Sequence, residues 1–100
     1  MSKIPKSFKL FATTIKVVED DKRLDDLKAY GYYEHSRTRI TLATKDGVND
    51  LSDCRKLDAF FHERTHAILE AMGERDLSDN EKFVDTFSKL LRQSIETQKF

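Results

Sequence analysis

The chain has 100 residues, 38% hydrophobic and 36% charged, with only three glycines and one proline, which is the make-up of one small charge-rich domain and not of a low-complexity tail. Eighteen basic residues balance eighteen acidic ones, so net charge offers no footprint for nucleic acid. The single cysteine, Cys54, excludes an internal disulfide, no apolar run approaches the roughly 20 residues of a membrane span, and residues 1–6 lack a signal-peptide pattern, so the expectation is a cytoplasmic protein with no membrane partner.

Residues 1–50 hold most of the β-forming side chains. The first strand is expected over residues 8–19, where Thr13, Thr14, Ile15, Val17 and Val18 suit a pleated surface. The charge run Glu19-Asp20-Asp21-Lys22 reads as a solvated turn. Residues 23–30 read as a short helix or an irregular link. Gly31 introduces a short strand, Tyr32-Tyr33-Glu34, and His35-Ser36-Arg37 reads as a hairpin turn. Residues 38–44 alternate, with Ile40 and Leu42 on one face and Arg39 and Thr41 on the other. Asp46-Gly47 marks a further turn.

Residues 51–100 read as two helices. Ser52 can cap a long helix over residues 53–72, and Gly73 follows its last periodic residue. Leu57, Phe60, Phe61, Ile68 and Met72 form one apolar arc on it. Ser78 opens the second helix, with Glu81 three residues later in a capping-box pattern. Phe83, Val84, Phe87, Leu90, Leu91 and Ile95 give this helix an apolar stripe. A loop over residues 73–77 makes the helices antiparallel neighbours, with the first lying between the sheet and the second. The fold class expected is α+β: one domain over residues 1–100, with a sheet of about three strands packed against two long helices.

The chemistry is concentrated in His62-Glu63-Arg64-Thr65-His66, an H-E-x-x-H sequence in mid-helix. Residues i and i+4 share a helix face, so both imidazoles can reach one metal ion. Zinc takes such nitrogens at about 2.0–2.1 Å. Glu63, about 100° around the helix, is placed to act as general base on a water at that metal. With three histidines and seven glutamates, the pattern arises by chance in roughly one shuffled chain in two hundred. The competing reading is two half-exposed helical histidines that pair with acids.

A catalytic zinc needs a third protein ligand. The acidic cluster Asp79-Asn80-Glu81 with Asp85 offers candidates, and Glu81 and Asp85, four residues apart, share one face of the second helix. Glu81 is either that ligand or only a cap of its own helix. Asp85 can accept the second ring N–H of a ligand histidine, or is a solvated carboxylate.

H-E-x-x-H followed by Asn80-Glu81-Lys82-Phe83-Val84-Asp85, an N-E-x-x-x-D string, resembles the gluzincin metallopeptidases, the thermolysin-like group, over about residues 57–90. The chain as a whole is similar to short H-E-x-x-H proteins of phages and prophages described as metallopeptidases. The resemblance implies a minimal zincin with one Zn²⁺ per chain, held by His62, His66 and Glu81. It implies Glu63 as base, Asp85 behind a ligand histidine, a peptide or protein substrate, and the host cytoplasm if the chain is phage-encoded. It also makes residues 38–44 the candidate edge strand against which an extended peptide would pair. The gap from His66 to Glu81 is shorter than in the large enzymes.

Tyr32, Tyr33, His35 and Arg39 are the candidate oxyanion donors of the strand region, each with a plainer reading as packing or solvated residue. His35 is a minor alternative third ligand. Cys54, on the first turn of the motif helix, reads as a small packing residue, with a reactive thiol as the alternative. The functional expectation is a zinc-dependent metallopeptidase or hydrolase. The alternative, motivated by small size, is a non-catalytic zinc-binding module that binds or inhibits a host protein.

Overall fold

A computed structural model describes residues 4–27 and 30–100. Lys28 and Ala29 of the expected link lie outside the described residues, as do residues 1–3. The class is α+β, as expected, with a four-stranded mixed sheet where about three strands were anticipated, and two short helices besides the two long ones.

The segment read as one strand is a hairpin: β1 (Ser7–Leu10) turns at Phe11-Ala12 into β2 (Thr13–Glu19). Phe11 takes a positive φ of 54° at this turn, in a sequence that carries no glycine or asparagine there. The acidic run is not a solvated turn throughout. Asp21 opens helix α1 (Asp21–Leu27), and its carboxylate accepts hydrogen bonds from the Thr44 hydroxyl and from the backbone N–H of Thr44 and of Lys45, which hold it below the usual carboxylate range. β3 (Gly31–Glu34) leads through a 3₁₀ turn (His35–Arg37) to β4 (Arg39–Leu42). A separate two-stranded ribbon, β5 (Lys45–Asp46) and β6 (Asn49–Asp50), follows, with Gly47 at a φ of 65° between them.

Sheet order is β1-β2-β4-β3, with β2 and β4 parallel and the other pairs antiparallel. β4 therefore lies inside the sheet. Thr41 is as buried as Ile40 and Leu42, because α1 lies against the face opposite the main core. The strand expected at the edge of a cleft is thus an interior strand. Among the described residues, β3 is paired on one side only.

Helix α2 runs over Asp53–Met72, as its cap signals predict. Ser52 Oγ accepts the N–H of Arg55, and Gly73 ends the helix at a φ of 77°. Leu57, Phe60 and Phe61 pack with Ile15, Ile40 and Leu42 in the main core. The predicted arc fails at its far end, where Met72 is exposed and Ile68 half-buried. Helix α3 (Arg75–Ser78) occupies most of the expected loop, and α4 (Glu81–Thr97) returns antiparallel on the other side of α2. It packs through Val84 and Ser88, both buried, with Leu91 half-buried. Phe87, Leu90 and Ile95, expected within the stripe, stay partly exposed, because the small Ser88 and not the aromatic edge faces the neighbouring helix. Cys54 is exposed, not packed. Among the described residues no helix is long and apolar enough to cross a membrane.

Arg92 pins the far end of this helix pair. It donates to the Cys54 carbonyl at 2.9 Å, to Asp58 at 2.8 Å and to Glu96 at 3.0 Å. Its side chain is largely buried, whereas Asp58 is part exposed, so solvent screens the pair. Arg92→Ala should lower stability by about 1–2 kcal/mol in urea denaturation. An unchanged midpoint would show that α4 is held by apolar contacts alone.

Candidate metal centre

His62 and His66 stand one turn apart on α2, with ring centroids 5.1 Å apart. Both Nε2 atoms face one carboxylate: His62 lies 3.3 Å from Glu81 Oε2 and His66 3.6 Å from Glu81 Oε1. One ligand atom from each of His62, His66 and Glu81 lies within 4.8 Å of the others. Tetrahedral bonds of about 2.0–2.1 Å to zinc require neighbouring ligand atoms about 3.3 Å apart. The two distances, to different oxygens of Glu81, lie near that value, and with one atom from each residue inside 4.8 Å the group could hold a metal ion.

Glu81 reaches the histidines because the connection after Gly73 folds back. Asn80, not Ser78, caps α4: its side chain accepts the N–H of Phe83 at 3.1 Å. The capping-box reading of Ser78 and Glu81 is therefore corrected, since Glu81 is the first helical residue. Its side chain is 70% exposed, at the rim of the site. Ser78 is buried at the end of α3, and its hydroxyl lies 2.9 Å from His66 Nδ1. Asp85 stands behind His62, but its Oδ1 is 3.9 Å from Nδ1, beyond a hydrogen bond, and its Oδ2 accepts from Lys89 Nζ at 3.1 Å.

Burial holds the His66 imidazole below its usual pKa, and His62 reinforces this against the opposing charges of Glu81, Glu70 and Asp79. A neutral imidazole offers a lone pair to a metal and makes a weak ion-pair partner. Glu63 is 8% exposed. Loss of water around its carboxyl, with the negative charge of Glu81, raises its pKa to about 7, while the Tyr33 backbone N–H pulls the other way. Gly31 makes room for this residue. A Cβ on Gly31 would fall 3.1 Å from Glu63 Cγ and 3.3 Å from its Oε2.

A cleft of about 390 Å³ opens over these groups, between β3 (Gly31, Tyr32, Tyr33) and the turn that carries Ser78, Asp79 and Glu81. Its remaining lining is His62, Glu63, His66 and Glu70. β3, and not residues 38–44, is the strand that borders it. Of the candidate oxyanion donors, Tyr32 and Tyr33 line the cleft and Arg39 does not. His35 is no part of the ligand group; its Nδ1 lies 3.0 Å from the Tyr33 hydroxyl. Reading by spacing missed Ser78 and Gly31. The first was visible only as a helix cap, and the second only as the start of a strand.

No protein-family model, no curated protein and no solved structure matches the chain.

The Glu63 shift fixes a sign. Its pKa in the metal-free fold, about 7, lies above the ordinary 4.5. The protonated form therefore favours the fold, and stability is lost as pH rises from about 4.5 through 7. Glu63→Gln removes this loss. Chelator-treated Glu63→Gln should gain about 2–3 kcal/mol over wild type at pH 8 relative to pH 5 in urea denaturation. Parallel pH dependence in both proteins would contradict the burial of this charge.

Proposed function

We propose that this protein is a zinc-dependent hydrolase acting on peptides, with one Zn²⁺ per chain held by His62, His66 and Glu81. The observation that carries the reading is the convergence of two imidazole Nε2 atoms on one carboxylate at zinc-ligand spacing. Bound zinc supplies a Lewis acid for a carbonyl oxygen and lowers the pKa of water toward about 7. Glu63 does the proton work. As a carboxylate it takes a proton from the attacking water, and as an acid it delivers that proton to the departing amine. Burial favours its protonated form in the metal-free fold, which suits a group that must hand a proton on. A carboxylate buried at a cost beside a ligand set favours catalysis over a merely zinc-binding module, which has no use for it.

The substrate reading rests on the sheet. β3 borders the cleft and is paired on one side only, so an extended peptide can add to it as a further strand. Tyr32 and Tyr33 of this strand line the cleft, while zero net charge disfavours nucleic acid. The compartment proposed is the cytoplasm, in keeping with a single unpaired cysteine.

The test uses zinc-loaded protein and a combinatorial peptide library read by mass spectrometry. Wild type should cleave a subset of peptides. Glu63→Gln should keep its zinc and lose about 10²–10⁴-fold in rate. A Glu63→Gln protein that cleaves at the wild-type rate would exclude the mechanism.

A further inference from the structure

We infer that Ser78-Asp79-Asn80-Glu81 is a histidine clamp, in which Ser78 is a positioning residue that fixes the tautomer and ring orientation of His66. The inference rests on the metal-site reading above and concerns how this chain prepares one ligand.

The first and last of these four residues reach both nitrogens of a single imidazole. Ser78 Oγ lies 2.9 Å from Nδ1, and Glu81 Oε1 lies 3.6 Å from Nε2. Ser78 is 4% exposed. A hydroxyl buried to that degree costs free energy unless it is hydrogen-bonded, and His66 is its partner. With the Nδ1–H donating to Ser78, the lone pair of Nε2 points at the Glu81 carboxylate. Two acceptors then face each other, an arrangement that a cation between them relieves.

Backbone geometry makes Ser78 a firm support. Its N–H donates to the Glu74 carbonyl at 3.0 Å, closing α3, and the Asn80 N–H donates to the Leu77 carbonyl at 3.1 Å. An ion pair from Arg75 to Glu70, at 3.7 Å, ties α3 to α2 one turn beyond His66. The S-x-x-E spacing that suggests a helix cap serves instead to place a hydroxyl and a carboxylate at opposite ends of one ring. Among the described residues His62 has no such support: the Asp85 carboxylate behind its Nδ1 stands at 3.9 Å and is engaged by Lys89.

Ser78→Ala is compared with Ser88→Ala, an equally buried serine that bonds the Asp85 carbonyl and no histidine. Zinc affinity is read by competition with a fluorescent chelator. Ser78→Ala should bind zinc about 10–100-fold more weakly, and Ser88→Ala should stay within about threefold of wild type. Equal affinity in Ser78→Ala and wild type, or equal losses in both variants, would overturn the clamp. A second readout needs no variant. In chelator-treated wild type, ¹H–¹⁵N correlation of the neutral ring should find the His66 proton on Nδ1; a proton on Nε2 overturns the inference. A wild type that takes up no zinc would instead refute the metal site itself.

Discussion

The antiparallel packing of α4 on α2 is the contact on which the rest of the molecule depends. It brings Glu81, the first residue of α4, opposite His62 and His66. A helix advances about 5.4 Å per turn, so a slip of one turn would carry Glu81 out of reach of both rings. Register is fixed at two distant points. Arg92 grips the first turn of α2 at one end, and Ser78 grips His66 at the other. Between them Val84 and Ser88, small and fully buried, let the helices approach closely.

The site is bought with local instability. Glu63 is a buried carboxyl whose charge the fold disfavours. Gly31, chosen where any side chain would press on Glu63, gives up the stabilising contacts that a larger strand residue makes. β3, which carries Gly31, leaves one side unpaired among the described residues, although free strand edges invite aggregation. These three features are weaknesses in a domain read only for stability. Together they border one cleft, lined by the buried Glu63 carboxyl and by β3.

Much of this was legible in the residues. The bounds of α2 follow from Ser52 and Gly73, because a cap side chain and a left-handed glycine are local signals. His62, Glu63 and His66 follow from helical spacing, and the approach of Glu81 from the antiparallel return. What escaped was non-local. The break between β1 and β2 falls at Phe11, which adopts a glycine-like backbone that no residue type there announces. Strand order is decided by pairing across the sheet, so the alternating strand was taken for the edge while the short Gly31–Glu34 segment holds that place. Ser78 and Asn80 are equally good caps by type. The backbone decides between them: Ser78 closes α3 and faces His66, and Asn80 directly precedes the first residue of α4.

Whether residues of two helices hold zinc is read from metal content, by mass spectrometry, of protein purified without a histidine tag and dialysed after zinc addition. Wild type should carry about one zinc per chain, and His66→Ala and Glu81→Ala, one from each helix, should each lose most of it. Wild type with less than about 0.1 zinc per chain after loading, or Glu81→Ala that retains the full amount, would contradict a site shared by the two helices.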